Sequence, residues 1–339
     1  MASDYTTVAQ RSKPSPPRID VIIATRDRGP AIRSALSSIQ ASSVKDWRLM
    51  IVDQSTGDET EATVREAAAT DSRIAYQRSQ TTGLSVARNI ALMQTAAPYI
   101  AVTDDDCEVS PDWLARIIAI FDEDPEAGCI GGTLDPAPFE PGTGDIPHFC
   151  PAERQRISRA WPHVEVFGAN IALRRAALDT AGLFDEHLGS GARFPCLEEQ
   201  DLCHRIMLAG YYLRVEPDVR VLHHGFRSNE QLRRLWERDG RGFGGLMAKA
   251  VRCGTPRAAL TLCQFWGQWT GMVARRLVRA ERPLKARQAS VYIFSSMRGF
   301  VAGMRFPVAA NRRVFAPQRW LGATHADDRP AVALARRSS

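Results

Sequence analysis

Four short apolar runs punctuate the first hundred residues at regular intervals: IDVIIAT at 19–25, WRLMIVD at 47–53, IAYQRS at 74–79 and YIAVTD at 99–104. Each is too short for a stable lone helix and reads as a strand. Between them, apolar positions recur at helical spacing: Ala31, Ala35, Leu36 and Ile39 within 30–40, a second helix over 59–69, and Leu84, Ala87, Ala91 and Leu92 within 83–95. Strand and helix alternating at this spacing predict βαβ units, hence an α/β fold with a mostly parallel sheet flanked by helices. The pattern continues with a helix at 113–122, a strand in AGCIGGTLDP (127–136) and a Pro/Gly-rich loop at 136–147 that is a lid or a simple excursion. Helices follow at 174–181 and 198–209, ended by Gly182 and Gly210, and YYLRVEPDVRVLHHG (211–225) reads as the last strands.

Beyond Phe226 the texture changes. Residues 259–280 set Leu262, Phe265, Trp266, Trp269, Met272, Val273 and Leu277 at helical spacing, interrupted by Gln264, Gln268, Arg275 and Arg276. No uninterrupted apolar stretch reaches the roughly 18 residues of a spanning helix. This segment and SVYIFSSMRGFVAGMRF (290–306) read as helices lying in a membrane interface, or as helices packed on the body or on a second subunit. Charge divides at the same place: residues 226–339 hold 22 Lys and Arg against 6 Asp and Glu, net +16, and the chain total of +6 leaves −10 for residues 1–225. A basic, Trp-containing C-terminal region of this kind suits anionic lipid, nucleic acid or a partner, or is a solvated face. The seven cysteines are scattered, with no C-x-x-C pair, which fits a reducing cytosol rather than a zinc ribbon or disulfide framework. The polar, proline-rich residues 1–17 read as a flexible tail without an export signal, and 321–339 as a second one.

Candidate chemistry gathers at the strand ends. In open parallel sheets the ligand lies beyond the carboxyl ends of the strands, so Thr25-Arg26-Asp27-Arg28, Asp53-Gln54-Ser55, Arg78-Ser79 and the triplet Asp104-Asp105-Asp106 should converge on one crevice. Three adjacent carboxylates after an apolar strand suit a bound Mg²⁺ or Mn²⁺ with substrate phosphate, although alone they also read as a solvated turn or helix cap. If the segment stays extended, Asp104 and Asp106 share a side and Asp105 points elsewhere, making Asp105 the least consequential of the three. Asp53 is placed to accept hydrogen bonds from a ribose or base. Neither G-x-G-x-x-G nor G-x-x-x-x-G-K-[ST] occurs at the sites those cradles require, which excludes a dinucleotide oxidoreductase and a P-loop ATPase and leaves a metal to hold a diphosphate.

Taken in order, IIATRDR, IVDQSTGDET, GLSVARNIAL, YIAVTDDDCEVSPDWL, GANIALRRAALDTAGLFDEHLG and EEQDLCHRIMLAGY resemble the successive segments of a family 2 glycosyltransferase with the Rossmann-like GT-A fold. The resemblance covers about residues 18–227, and implies a GT-A domain there followed by a basic amphipathic helical region at 228–320. It also implies that Thr25, Asp53, Arg88 and Asp104 contact the nucleotide sugar, that Asp106 with His223 or His224 holds the metal, and that Asn170, Asp185 and Glu198 border sugar and acceptor. Glu199 stands where the family commonly has the aspartate that serves as catalytic base, and Gln54 and Ala24 replace a common Asp and Pro.

The function so implied is metal-dependent, inverting transfer from a nucleotide-diphospho-sugar to a hydroxyl of a glycan or lipid-linked acceptor, in the cytoplasm or on the cytoplasmic face of a membrane. Nucleic acid is not expected as a partner, and an oligomer is compatible with the pattern. A metal-dependent nucleotidyltransferase and a non-catalytic scaffold that binds membrane or nucleic acid are the competing readings. The first would not require a base in EEQDL, and the second leaves the ordered aspartates unexplained.

Overall fold

A computed structural model describes residues 16–140, 142–160, 164–278 and 283–317, with side chains except at 272–278 and 283–287. The two expected tails therefore fall almost entirely outside the described residues, as do the side chains of Met272, Val273 and Leu277. The first four strands form over the apolar runs: β1 (Ile19–Thr25), β2 (Trp47–Asp53), β3 (Ile74–Arg78) and β4 (Tyr99–Thr103). They lie parallel in the order β3-β2-β1-β4, joined through a 3₁₀ turn (Gly29–Ile32) with α1 (Arg33–Gln40), then α2 (Glu59–Thr70) and α3 (Leu84–Met93).

The middle of the chain adds β5 (Cys107–Val109), α4 (Trp113–Glu123), β6 (Ala127–Pro136), β7 (Gly144–Asp145), β8 (Gln155–Ile157), β9 (Asn170–Arg174), α5 (Arg175–Ala181), α6 (Glu198–Leu208) and β10 (Tyr212–His223). The nine-stranded sheet continues as β4-β9-β6-β10-β5, with β8 also on β10. Only β9, β5 and β8 run against the other six. Residues 211–225 form one strand, not several, with the ladder interrupted between Glu216 and Arg220. The loop at 136–147 carries β7, which pairs with β11 (Arg227–Ser228) and so is fastened beside the end of β10.

Period-two alternation sorts the strand side chains into two cores. Ile19, Val21, Ile23, Leu49 and Ile51 pack under α1, α2 and α4, whereas Ile22, Met50, Val52, Ile100 and Val102 meet α3, α5 and α6. Helices α3 and α6 thus share a face of the sheet, which brings their N-terminal turns together.

The C-terminal region forms α7 (Asn229–Arg252), α8 (Arg257–Val278), α9 (Pro283–Arg305) and a small ribbon of β12 (Val308–Ala309) and β13 (Val314–Phe315). A third core of Leu188, Phe194, Phe243, Leu246, Met247 and Phe315 binds these helices to the loop before α6. Deeper still, the Lys249 ammonium on α7 lies 2.7 Å from Asp185 and 2.5 Å from Asp201 of α6, all three side chains nearly inaccessible. The α8 aromatics expected at a membrane interface are partly used inside: Phe265 packs on Phe243, and Trp269 stacks on Tyr292 at 5.3 Å. No helix among the described residues is long and apolar enough to cross a membrane.

Helices α7 and α9 meet backbone to backbone through paired Gly-x-x-x-Gly steps, Gly240/Gly244 and Gly299/Gly303. A Cβ on Gly244 would lie 1.9 Å from the Ser296 carbonyl oxygen, and one on Gly299 2.1 Å from that of Arg241. Gly244→Val is therefore expected to lower unfolding stability by about 3 kcal/mol or more in urea titrations. Gly267→Ala, where no atom lies within 4 Å, should leave stability unchanged or raise it by about 0.5–1 kcal/mol. Equal effects of the two would refute this packing.

Candidate active site

Strand β4 stops at Thr103, and residues 104–106 turn into β5 instead of continuing extended. The alternation expected of the three aspartates therefore fails. Asp104 accepts from Arg88 at 3.0 Å, while Asp105 and Asp106 share the Arg28 guanidinium at 2.8 and 2.7 Å. Asp105 is the most enclosed of the three. Burial pushes its carboxyl up to about 6, against the pull of Arg28.

Antiparallel pairing of β5 with β10 sets His223 opposite Cys107, and this register decides between the two histidines. His223 is buried and turns Nε2 toward Asp106 at 3.5 Å, whereas His224 is half exposed and pairs with Glu108 at 2.9 Å. The Pro147 carbonyl lies 2.8 Å from His223 Nδ1. A carbonyl only accepts, so Nδ1 carries a proton, and in the protonated ring Nε2 donates to the Asp106 carboxylate. Gly225 leaves room for this ring: a Cβ there would lie 2.3 Å from Nε2. Burial would lower the His223 pKa, but the hydrogen bonds to Asp106 and Pro147 raise it overall. Burial would likewise raise Asp106, but His223, Arg28 and Arg227 hold it down to about 2.

On the other side of the turn, Arg88 projects from α3 into a fully buried position. Its guanidinium binds Asp104 at 3.0 Å and Glu198, the first residue of α6, at 2.9 Å. Gly168 makes this possible, since a Cβ there would come within 2.6 Å of the guanidinium. The loop before α6 is drawn to α3 by Ser85, whose hydroxyl donates to the Leu188 carbonyl at 2.6 Å, and by the Leu84 amide, which donates to Ser190 at 2.9 Å. Glu199 follows Glu198 in the first turn of α6, and burial, then the Glu198 charge, raise its pKa well above the usual glutamate value, with Arg88 opposing.

The residues at the end of β4 fit a divalent cation. Ligand atoms of Asp106, Cys107 and His223 all lie within 4.8 Å of one another. Burial pushes the Cys107 thiol up, which keeps it protonated and a poor ligand, so the carboxylate and imidazole are the usable pair. Arg28 already sets one positive group against Asp105 and Asp106.

Residues 20–182 match the signature of Glycosyl transferase family 2. This part of the chain is a family 2 glycosyltransferase domain. Its fold is GT-A: the mannosyltransferase PcManGT from Pyrobaculum calidifontis, solved with GDP-Man and Mn²⁺, superimposes with a TM-score of 0.59 at 18% identity, over 85% of this chain and 88% of that one. Among sequence relatives, the Mycobacterium tuberculosis pre-mycofactocin glycosyltransferase is 27% identical over 228 residues, 64% of this chain and 45% of its own length. A Haloferax volcanii glucosyl-dolichyl phosphate glucuronosyltransferase is 22% identical over 201 residues, 56% of this chain and 63% of its own. The chain spans less than two thirds of either relative.

Within and just beyond this glycosyltransferase domain, the structure draws together Arg88, Asp104, Asp106, Glu198, Glu199 and His223. Thr25 sits buried at the end of β1. Asp53 closes β2, but its carboxylate is taken inward by the Ser55 amide, the Ser55 hydroxyl and the Tyr76 hydroxyl. Asn170 and Asp185 do not border the site in the manner expected. The Asn170 amide donates to the Thr133 and Val219 carbonyls and accepts from Trp113, and so ties β6, β9, β10 and α4 together. Asp185 is fully buried, held by Lys249 and by the Phe315 amide at 2.8 Å. Sequence reading placed Arg28 at the crevice without giving it a role, and passed over Lys249. For Arg28 a signal existed, a basic strand end on the same sheet edge as an acidic triplet, whereas nothing local marks Lys249.

Because the folded protein favours the protonated form of Glu199, that contribution to stability is full below the unfolded-state pKa and is lost as pH rises through the raised folded value. Glu199→Gln, which cannot ionise, should therefore gain stability relative to the wild type as pH rises through that window, measured by urea unfolding at a series of pH values. A pH-independent difference would show that Glu199 ionises as it does in the unfolded chain.

Proposed function

We propose that the chain transfers a glycosyl group from a nucleotide-diphospho-sugar to an acceptor hydroxyl with inversion at the anomeric carbon, Glu199 acting as base. The observation that carries this reading is the buried Glu199, set beside the Arg88 bridge that joins the head of α6 to the metal-binding turn. Glu199 takes the hydroxyl proton as the acceptor oxygen bonds to the anomeric carbon, and the bond from that carbon to the diphosphate oxygen breaks. Its raised pKa makes it a stronger base than an ordinary glutamate, while Glu198 stays paired with Arg88.

Asp106 and His223 would hold Mg²⁺ or Mn²⁺, which supplies positive charge against the diphosphate. Thr25, Asp53, Arg88 and Asp104 line the donor side in this reading; Asp53 acts there by shaping the 53–55 turn. Arg28, paired with Asp105 and Asp106 on the same turn, would add positive charge on the diphosphate side. Nucleotidyl transfer and a purely structural role both leave the buried base without a task.

For the acceptor, the lipid phosphate in the name of the Haloferax relative supports a lipid-linked or glycan hydroxyl. The basic C-terminal region suits work at the cytoplasmic face of an anionic membrane.

A nucleoside diphosphate with Mn²⁺ should raise the melting temperature, and Asp106→Ala should abolish the rise; no shift in the wild type would sink the donor-site reading. With a nucleotide-sugar panel read by release of nucleoside diphosphate, Glu199→Gln should lower kcat about 10²–10⁴-fold and keep the thermal shift. The wild-type rate should fall as pH drops through a value above the usual glutamate range, because only the carboxylate accepts the proton.

A further inference from the structure

Among the described residues, helix α9 leaves the stripe of Phe294, Met297, Val301 and Met304 uncovered. Its inner side, Ser296, Gly299 and Gly303, is pressed against α7. On the outer side Phe294, Met297, Val301 and Met304 recur at helical spacing and remain in solvent, Phe294 at 67% and Val301 at 48% exposure. Beside this stripe, the last turns of α9 and the loop before α6 enclose an open groove of about 490 Å³, in which Arg193, Arg298 and Arg305 surround Met297, Val301 and Phe306. Arg193 lies over the Phe306 ring at 5.3 Å. Among the described residues, none of the three guanidiniums is ion-paired with a carboxylate.

Arginines left unpaired around an apolar groove, continuous with an exposed apolar helix face, match a ligand that is a phosphate at one end and hydrocarbon at the other. We infer that this groove and stripe are a binding site for an anionic membrane phospholipid. The headgroup phosphate lies between Arg193, Arg298 and Arg305, and Phe294, Met297, Val301 and Met304 enter the acyl boundary with α9 along the surface. The net +16 of residues 226–339 acts in the same direction over a longer range. A second copy of the chain is a poorer occupant, because a two-fold contact would set these arginines against themselves. The inference rests on the membrane-surface part of the functional reading and is independent of the donor site.

The test is flotation of the full chain with vesicles of phosphatidylglycerol and phosphatidylcholine in equal parts, against phosphatidylcholine alone. Binding should require phosphatidylglycerol. It should fall about tenfold or more in R298E/R305E, fall also in F294S/V301S, and survive in Asp106→Ala. R233E/R234E makes the same charge change on the exposed side of α7 and should matter much less. Wild-type protein that does not float overturns the membrane reading as a whole. Flotation weakened equally by R298E/R305E and R233E/R234E, or untouched by F294S/V301S, leaves general charge attraction and overturns this site. A concentration-dependent dimer in sedimentation velocity that F294S/V301S dissolves would assign the face to a second copy and overturn it as well. The donor-induced thermal shift, retained in R298E/R305E, F294S/V301S and R233E/R234E, certifies their folding.

Discussion

The site depends on one buried guanidinium. An unpaired Arg88 in that position would carry a desolvation penalty of several kcal/mol, so the fold persists only with its two carboxylates in place: Asp104, 16 residues on, and Glu198, 110 residues on. Those partners come from the end of β4 and the head of α6, and the single ion cluster therefore sets the distance between the acidic turn and the helix that carries Glu199. It also divides the labour of the adjacent glutamates. Glu198 is consumed by the pair, and Glu199 is left with burial and a like-charged neighbour, the two conditions that make a carboxylate basic.

The same logic operates on the back of α6. Asp201 is held by Arg205 at 3.0 Å on its own helix and by Lys249 from α7, and Lys249 also holds Asp185. The third core and the glycine contacts between α7 and α9 give that ammonium a rigid base. The C-terminal helices thus buttress the helix that carries Glu199, although the family match ends at residue 182, before α6 begins. Removing any one of these charges would strand the others in a dry interior, which ties the extension to the body more firmly than apolar contact alone.

Much of the fold was legible because its elements are local. β1, β2 and β6 coincide with apolar runs, and α1 to α4 follow the 3.6-residue periodicity within three residues, the largest departure being the 3₁₀ turn that precedes α1. β9 escaped that reading because NIALR is short and runs into α5 without a break, and only its antiparallel place between β4 and β6 gives it a strand's hydrogen bonds. The Gly-x-x-x-Gly steps of α7 and α9 were visible as letters but not as a contact, since each glycine acquires meaning only from the carbonyl that approaches it.

Sequence by itself determined which side chains were available: an acidic triplet after an apolar strand, an arginine on α3, paired glutamates opening a helix, and a basic C-terminal third. Tertiary structure decided what each of them does. The end of β4 at Thr103 made Asp105 a partner of Arg28, and the β5–β10 register chose His223 over His224. Packing around Lys249 and Trp113 withdrew Asp185 and Asn170 into the framework. The reason is physical: a residue type sets what a group can donate, accept or ionise, but its partners and its solvation come from elements distant in the chain, and these exist only once the chain is folded.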